Sequence, residues 1–172
     1  MKTAVPIAED ETGESLHDKL ADAGAKLCVE TLKALEEKTA TFEKQGESPT
    51  AYAKMLTKEL GNINWNEPAA RIERLVRGLN SWPSAYTHWN GKVMKIWRAK
   101  AETGADTQAA VEAGTGAADE SMGTAAKTAS VRPGTVLSVG KKIFTVQTGD
   151  GVLHVYEVQI PGKKRMETGA FL

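Results

Sequence analysis

The apolar residues change their period at Pro83, and this change limits what the chain can fold into. Before Pro83 they recur at helical spacing, which predicts a helix with Asn66 as N-cap and Pro68 in its first turn. Pro83 ends the helix because proline lacks the backbone N–H that a helix interior needs. The predicted buried stripe of this helix consists of Ala69, Ile72, Leu75, Val76 and Leu79.

After Pro83, apolar and polar residues alternate as in half-buried strands. The runs SAYTHW and KVMKIWRA flank Asn90-Gly91, a dipeptide that accepts positive φ at both turn positions and therefore predicts a hairpin. TVLSVG, KIFTVQT and VLHVYEVQI follow, separated by turn residues. About five short strands after one helix predict a small antiparallel barrel of the oligonucleotide-binding type. Residues 101–130, rich in Ala, Gly and Thr, are predicted to be a flexible insertion in this barrel.

The N-terminal segment predicts part of another domain. TAVPI is a short strand candidate, and a helix with Ser15 as N-cap follows it. One strand and one helix cannot close a core, so the segment looks like the end of an α/β unit. The predicted fold class is therefore α+β, an antiparallel barrel preceded by a helix and by a strand-helix remnant. The predicted divisions are 1–44 for the remnant, 45–65 for a linker and 66–172 for the barrel domain.

Charge is distributed unevenly along the chain, although the net charge is zero. Residues 51–100 carry nine Lys and Arg against three acidic residues, and residues 131–172 carry six against three. The other two blocks, 1–50 and 101–130, are acidic overall. Two basic blocks separated by acidic ones suggest a surface that faces a polyanion, with ordinary surface charge as the alternative.

Three arginines on the predicted helix, Arg71, Arg74 and Arg77, form the most specific pattern in the basic blocks. A spacing of three residues rotates successive side chains by only about 60°, so all three share one face of the helix. Glu67–Arg71 and Glu73–Arg77 are also i,i+4 pairs, and ion pairing on the helix surface is therefore the competing interpretation. Further lysines and arginines beyond the helix make phosphate binding the more attractive one.

The sequence contains no recognisable catalytic or metal-binding motif. His17, His88 and His154 are not spaced as metal ligands, and neither a nucleophile elbow nor a glycine-rich nucleotide loop occurs. Cys28 has no partner for an internal disulfide. No run approaches the roughly 18 apolar residues of a membrane span, and the first residues lack signal-peptide features, so we expect a cytoplasmic protein. We predict no catalytic residue, no metal and no membrane contact for this chain.

The four tryptophans allow two interpretations. Aromatic rings on barrel strands can stack with the bases of single-stranded nucleic acid. Three of the four flank the junction between helix and barrel, where large rings usually seal a core, and we favour that structural role. The residues are Trp65, Trp82, Trp89 and Trp97.

Three strings, in this order, resemble the C-terminal half of the methionyl-tRNA formyltransferase family. They are AVPIAEDETGESLHDKLADAGAKL, YAKMLTKELGNINWNEPAARIERLVRGLNSWPSAYT, and PGTVLSV followed by GDGVLHVYEVQIPGKKRM. The resemblance implies a transferase that moves a formyl group from 10-formyltetrahydrofolate to the methionine amino group of initiator Met-tRNA. It also implies a Rossmann-like N-terminal domain for folate and catalysis, and a C-terminal barrel that helps to grip the tRNA.

The family's catalytic Asn, His and Asp segments have no counterpart in this sequence. We therefore expect the chain alone to bind no folate cofactor and to transfer no formyl group. The main hypothesis is RNA binding through phosphate contacts, and the alternative is a packing barrel of a formyltransferase that acts on sugar nucleotides or folate. A third interpretation is a truncation remnant with an exposed first helix. The predicted phosphate contacts are Lys54, Lys58, Arg71, Arg74, Arg77, Lys92, Lys95, Arg98, Lys163, Lys164 and Arg165.

Overall fold

The computed structural model describes residues 1–48, 50–102 and 131–172. The predicted insertion therefore lies outside the described residues except for Ala101 and Glu102. These two residues end a strand instead, because they pair with Leu153 and Val152 of a later strand.

Helix α1 spans Gly13–Glu36. Thr12 is its N-cap: the Thr12 hydroxyl accepts from the Ser15 backbone N–H at 3.1 Å, and Ser15 Oγ accepts from the Thr12 N–H at 3.1 Å. Ser15, the predicted N-cap, is therefore the third helical residue of a capping box, an arrangement that satisfies two backbone donors at once. Residues 1–8 form no strand, so the predicted strand at residues 3–7 is not found.

The strands of the described chain form one antiparallel sheet. Its strands are β1 (Ala85–Trp89), β2 (Lys92–Glu102), β3 (Val136–Val139), β4 (Phe144–Gln147), β5 (Val152–Gln159) and β6 (Met166–Glu167). Asn90 and Gly91 have φ values of 48° and 73°, which confirms the predicted hairpin between the first two strands. The five predicted strands are present, whereas β6 and the short C-terminal helix α3 (Thr168–Phe171) were not predicted. The strand order in the sheet is β1-β2-β5-β4-β3, and β6 pairs with β5.

Helix α2 spans Ala69–Gly78 and packs against β2. Pro68, and not the predicted Asn66, occupies the N-cap position. The turn between β4 and β5 explains the difference, because the carbonyl of Asp150 accepts from the Ala69 N–H at 2.9 Å and makes a side-chain cap unnecessary. The Asn66 side chain instead donates to Asn64 Oδ1 at 3.0 Å.

The end of the predicted linker packs with the sheet. A short 3₁₀ helix spans Lys58–Gly61, and the Ile63 N–H after it donates to the Tyr86 carbonyl at 2.8 Å. The Ile63 side chain is buried in the core. Trp65 packs against the same core and donates from Nε1 to Thr87 Oγ1 at 3.0 Å.

The core lies between α2 and one face of the sheet, and the predicted barrel is not confirmed. A barrel requires its first and last strands to pair, and within the described ranges β1 and β3 do not pair. Every helix in these ranges is too short or too polar to traverse a bilayer. The core residues are Ile63, Ile72, Val76, Ala85, Met94, Ile96, Ala99, Phe144, Val146, Leu153, Val155 and Val158.

Candidate nucleic-acid interface

One surface of the sheet brings together basic residues from two segments that are far apart in the sequence. Gln159 connects the segments, because it accepts from Trp97 Nε1 at 3.2 Å and donates from Nε2 to the Lys163 carbonyl at 2.9 Å. Five of the predicted phosphate contacts lie here, and we call them the basic cluster. It consists of Lys95 and Arg98 in β2 and of Lys163, Lys164 and Arg165 in the connection from β5 to β6.

Trp97 lies at the centre of the basic cluster. Lys95 Nζ is 5.5 Å from the centre of its indole ring, and the Arg165 guanidinium carbon is 5.0 Å from it. Cations at this distance are attracted by the electron-rich face of the ring. Trp97 therefore holds two cations of the cluster in place, which is a different role from an open platform for a base.

Two carboxylates that the sequence interpretation missed bind the arginines of the cluster. Glu157 accepts from Arg165 Nε at 2.5 Å and from Nη2 at 2.7 Å, and Glu167 accepts from Arg98 Nη2 at 2.9 and 3.0 Å. The hydrogen bonds from Arg165 to Glu157 raise the pKa of that guanidinium above its ordinary value. The sequence carries no local signal for these pairs, because Arg98 and Glu167 are 69 residues apart.

The arginine stripe of α2 divides into three different environments. Arg71 forms the predicted ion pair with Glu67 at 3.3 Å. Arg77 does not pair with Glu73, and it donates instead to the carbonyl of Glu9 before α1. Arg74 is exposed and forms no ion pair within the described part of the chain. The three arginines therefore do not present one uniform row of free guanidinium groups.

The lysines among the predicted phosphate contacts are bound less by other side chains than most of the arginines are. Lys95 is half-buried and donates weakly to Ser84 Oγ at 3.4 Å. The others have exposed side chains, and none of them has an ion-pair partner among residues 1–48, 50–102 and 131–172. Hydrated ammonium groups of this kind are well suited to contact a phosphate backbone without reading sequence. They are Lys54, Lys58, Lys92, Lys163 and Lys164.

His154 forms a relay with two neighbours, but the relay is not an accessible catalytic site. Its Nδ1 is 3.0 Å from Thr145 Oγ1, and its Nε2 is 2.7 Å from Glu102 Oε2. Thr145 is buried, so a substrate could not reach its hydroxyl group. The relay ties β4 and β5 to the end of β2. No group of three metal-ligating side chains occurs among the described residues.

The tryptophans fulfil the predicted structural role only in part. Trp65 packs against the core, as described above. Trp82 is 58% exposed, and Trp89 is 44% exposed although it makes an edge contact with Phe171 at 5.3 Å. The two rings beside the junction therefore leave much of their surface open, which the sequence interpretation did not expect.

The fold of the chain is also found in solved structures of HypX from Aquifex aeolicus. One HypX variant matches with a TM-score of 0.57 at 15% identity, over 96% of this chain and 26% of that chain. A second variant matches with a TM-score of 0.53 at 19% identity, over 94% of this chain and 25% of that chain. At this level of identity the likeness concerns the fold alone.

The comparison of sequences identifies the family of the chain more specifically than the comparison of folds does. The profile described as "Formyl transferase, C-terminal domain" matches residues 55–172, and the chain belongs to that family. Similar proteins include methionyl-tRNA formyltransferases: that of Agathobacter rectalis is 47% identical over 99% of this chain, and that of Lachnospira eligens is 45% identical over 100%. The alignments cover 48% and 49% of these relatives, so the chain spans about half their length. The resemblance stated from the three strings is confirmed.

Proposed function

We propose that this chain is the RNA-gripping C-terminal part of a methionyl-tRNA formyltransferase. The complete enzyme would transfer a formyl group from 10-formyltetrahydrofolate to the methionine amino group of initiator Met-tRNA in the cytoplasm. The observation that carries the RNA-binding part of the proposal is the basic cluster, in which Lys95 and Arg165 from two distant segments lie over Trp97 and Arg98 lies beside Glu157, the partner of Arg165. The clustering of these cations on one sheet surface favours a polyanionic partner over ordinary surface charge.

The predicted phosphate contacts take two different roles in this proposal. The lysines attract the backbone as mobile point charges, and Arg74 acts with them. Arg98 and Arg165 keep fixed orientations because carboxylates bind them. Arg71 and Arg77 contribute less, because the Glu67 carboxylate before α2 and the Glu9 carbonyl occupy them. We also propose that the sheet is related to the oligonucleotide-binding barrel, on the basis of its short antiparallel strands.

We propose further that residues 1–44 belong to a preceding α/β domain and that residues 45–65 connect it to the RNA-binding domain at residues 66–172. The end of this connection packs against the RNA-binding domain through Ile63 and Trp65. Two observations support this division. The family profile begins at residue 55, and α1 leaves Leu20, Val29, Leu32 and Leu35 exposed along its length. An apolar helix face of this extent usually packs against other elements. We assign no catalytic residue to the chain.

The test is the binding of transfer RNA to the pure chain at several salt concentrations, measured by fluorescence anisotropy. Each phosphate neutralised by a cation contributes about 0.7–0.9 to the slope of log affinity against log salt. Replacing both Lys163 and Lys164 with alanine should therefore reduce this slope by roughly 1.4–1.8. Initiator and elongator tRNAs should weaken about equally, since phosphate contacts carry no sequence information.

A double variant with Lys26→Ala and Lys44→Ala is the matched control. It removes the same charge from α1 and the segment after it, and its affinity should stay close to that of the unmodified chain. A flat response of affinity to salt, or an equal loss in both double variants, would contradict the assignment. In that case the sheet would be a packing module, the alternative class. Folate-dependent formylation of Met-tRNA by the pure chain would contradict the proposal that catalysis needs the other half of the enzyme.

A further inference from the structure

The pairing of β2 with β5 is irregular at one point, inside the basic cluster. The register shifts on both sides of the Arg98–Glu157 pair, because β2 carries one extra residue directly before Arg98 and β5 carries one extra residue directly before Glu157. The extra residues are Trp97 and Tyr156. Such bulges redirect side chains and are common beside functional sites. The partners around the irregularity are Ile96 with Val158, Arg98 with Glu157, and Ala99 with Val155.

Glu157 is thereby placed between the two arginines of the cluster. Its carboxylate accepts two hydrogen bonds from Arg165, and its Oε2 lies 3.8 Å from Arg98 Nε. The Glu157 side chain is only 18% exposed, whereas those of Arg165 and Arg98 are 42% and 54% exposed. A shielded carboxylate therefore anchors the Arg165 guanidinium and lies within ion-pair distance of the Arg98 guanidinium, whose hydrogen bonds go to Glu167.

Each guanidinium also lies over an aromatic ring that the bulges supply. Arg165 is 5.0 Å from the ring centre of Trp97, and Arg98 is 5.2 Å from that of Tyr156. Arginine has five N–H donors in a rigid fork, and Arg165 uses two of them for Glu157, which leaves three. With one edge bound and one face covered, the remaining donors have a fixed direction.

We propose that Glu157 is a positioning residue, which holds Arg165 and Arg98 in the orientation that binds RNA phosphates. This inference rests on the proposed function. It predicts that removal of the Glu157 charge changes RNA affinity in the direction opposite to that expected from simple electrostatics. A negative charge beside a polyanion repels it, so removal of the charge alone would strengthen binding. If Glu157 positions the arginines, its removal weakens binding, because two long side chains must then be ordered during association.

The experiment compares the full-length chain with Glu157→Gln, using unfractionated tRNA as the probe and anisotropy as the readout at several salt concentrations. We expect Glu157→Gln to weaken binding about fivefold to thirtyfold. In Arg165→Ala the same change should have a smaller effect, since Glu157 then has only Arg98 to act on. Thermal unfolding of each variant shows whether it is folded. Arg165→Lys keeps the charge but loses the paired hydrogen bonds, and it should also weaken binding.

Glu14→Gln is the matched control. Glu14 is exposed and close enough to Arg165 to raise its pKa, but it forms no hydrogen bond with it among the described residues. Its neutralisation removes the same charge without removing an anchor, and should leave binding unchanged or strengthen it. Binding by Glu157→Gln that equals or exceeds that of the unmodified chain overturns the positioning role and leaves RNA binding intact. Unchanged affinity in Arg165→Lys also overturns it. Failure of the unmodified chain to bind tRNA overturns both the inference and the proposed function.

Discussion

Replacing Glu73 with alanine tests how α2 is fastened to the sheet. The Glu73 side chain is 13% exposed and accepts from the Ala101 N–H at 2.8 Å and from Lys100 Nζ at 3.3 Å. A hydrogen bond to a charged group contributes about 1.5–3 kcal/mol, and loss of the acceptor also leaves the Ala101 N–H unpaired. We expect Glu73→Ala to lower the free energy of unfolding by about 2–3 kcal/mol. Urea denaturation followed by tryptophan fluorescence measures this value.

Glu73→Gln and a double-mutant cycle separate the contributions. Glutamine keeps an oxygen for the Ala101 N–H but loses the charge, so it should lower the free energy of unfolding by about 1 kcal/mol. Glu73 should be coupled to Lys100 by about 0.2–1 kcal/mol, because the Lys100 side chain is largely exposed, and should not be coupled to Arg77. A loss below about 0.5 kcal/mol in Glu73→Ala, or coupling to Arg77 in place of Lys100, would refute the contacts described here.

Two further predictions concern single positions. A Cβ atom on Gly149 would lie 1.9 Å from the Asn66 carbonyl oxygen. Gly149→Ala should therefore lower the free energy of unfolding, measured by urea denaturation, by about 1–3 kcal/mol. Gly24→Ala is the control and should not lower it, because the space around Gly24 is open. The hydrogen bond from Lys19 is the largest contribution that lowers the pKa of Glu11 from 4.5 to about 2. The ionised Glu11 carboxylate therefore stabilises the fold above pH 4.5, and this contribution is lost as the pH falls through about 2. An NMR titration midpoint of Glu11 near 4.5 would contradict this prediction.

Local patterns in the sequence predict the elements of this fold well. The change of period at Pro83 separates α2 from β1, and Asn90-Gly91 forms the expected hairpin turn. Both features depend on a few neighbouring residues, whose backbone preferences operate wherever the segment lies in the fold. The buried stripe of α2 is also predicted correctly, because the helical spacing places Ile72 and Val76 on one face whatever they pack against.

The errors arise where a distant group competes with a local one. Asn66 is a good N-cap in isolation, but the carbonyl of Asp150 binds the helix N-terminus in its place. Glu73 is well spaced to pair with Arg77, but it binds β2. The Asp150 carbonyl is 81 residues from Ala69 in the sequence, and the Ala101 N–H is 28 residues from Glu73. Only the register of the strands brings these groups together. A one-residue change of register would reverse which side chains meet, and no local pattern specifies the bulges of β2 and β5.

Pairing with carboxylates divides the cations of the candidate RNA surface into two kinds. Lys163 and Lys164 are exposed and unpaired within the described chain, so their contribution is long-range attraction that salt screens within about 8–10 Å. Arg98 and Arg165 are already bound to carboxylates and cover aromatic rings, so at longer range much of their charge is cancelled. They can act only on a phosphate close enough to meet their remaining donors. Loss of the lysines should therefore slow association, whereas loss of the arginine anchor should speed dissociation, because steering charges set the on-rate and close hydrogen-bonded pairs set the off-rate.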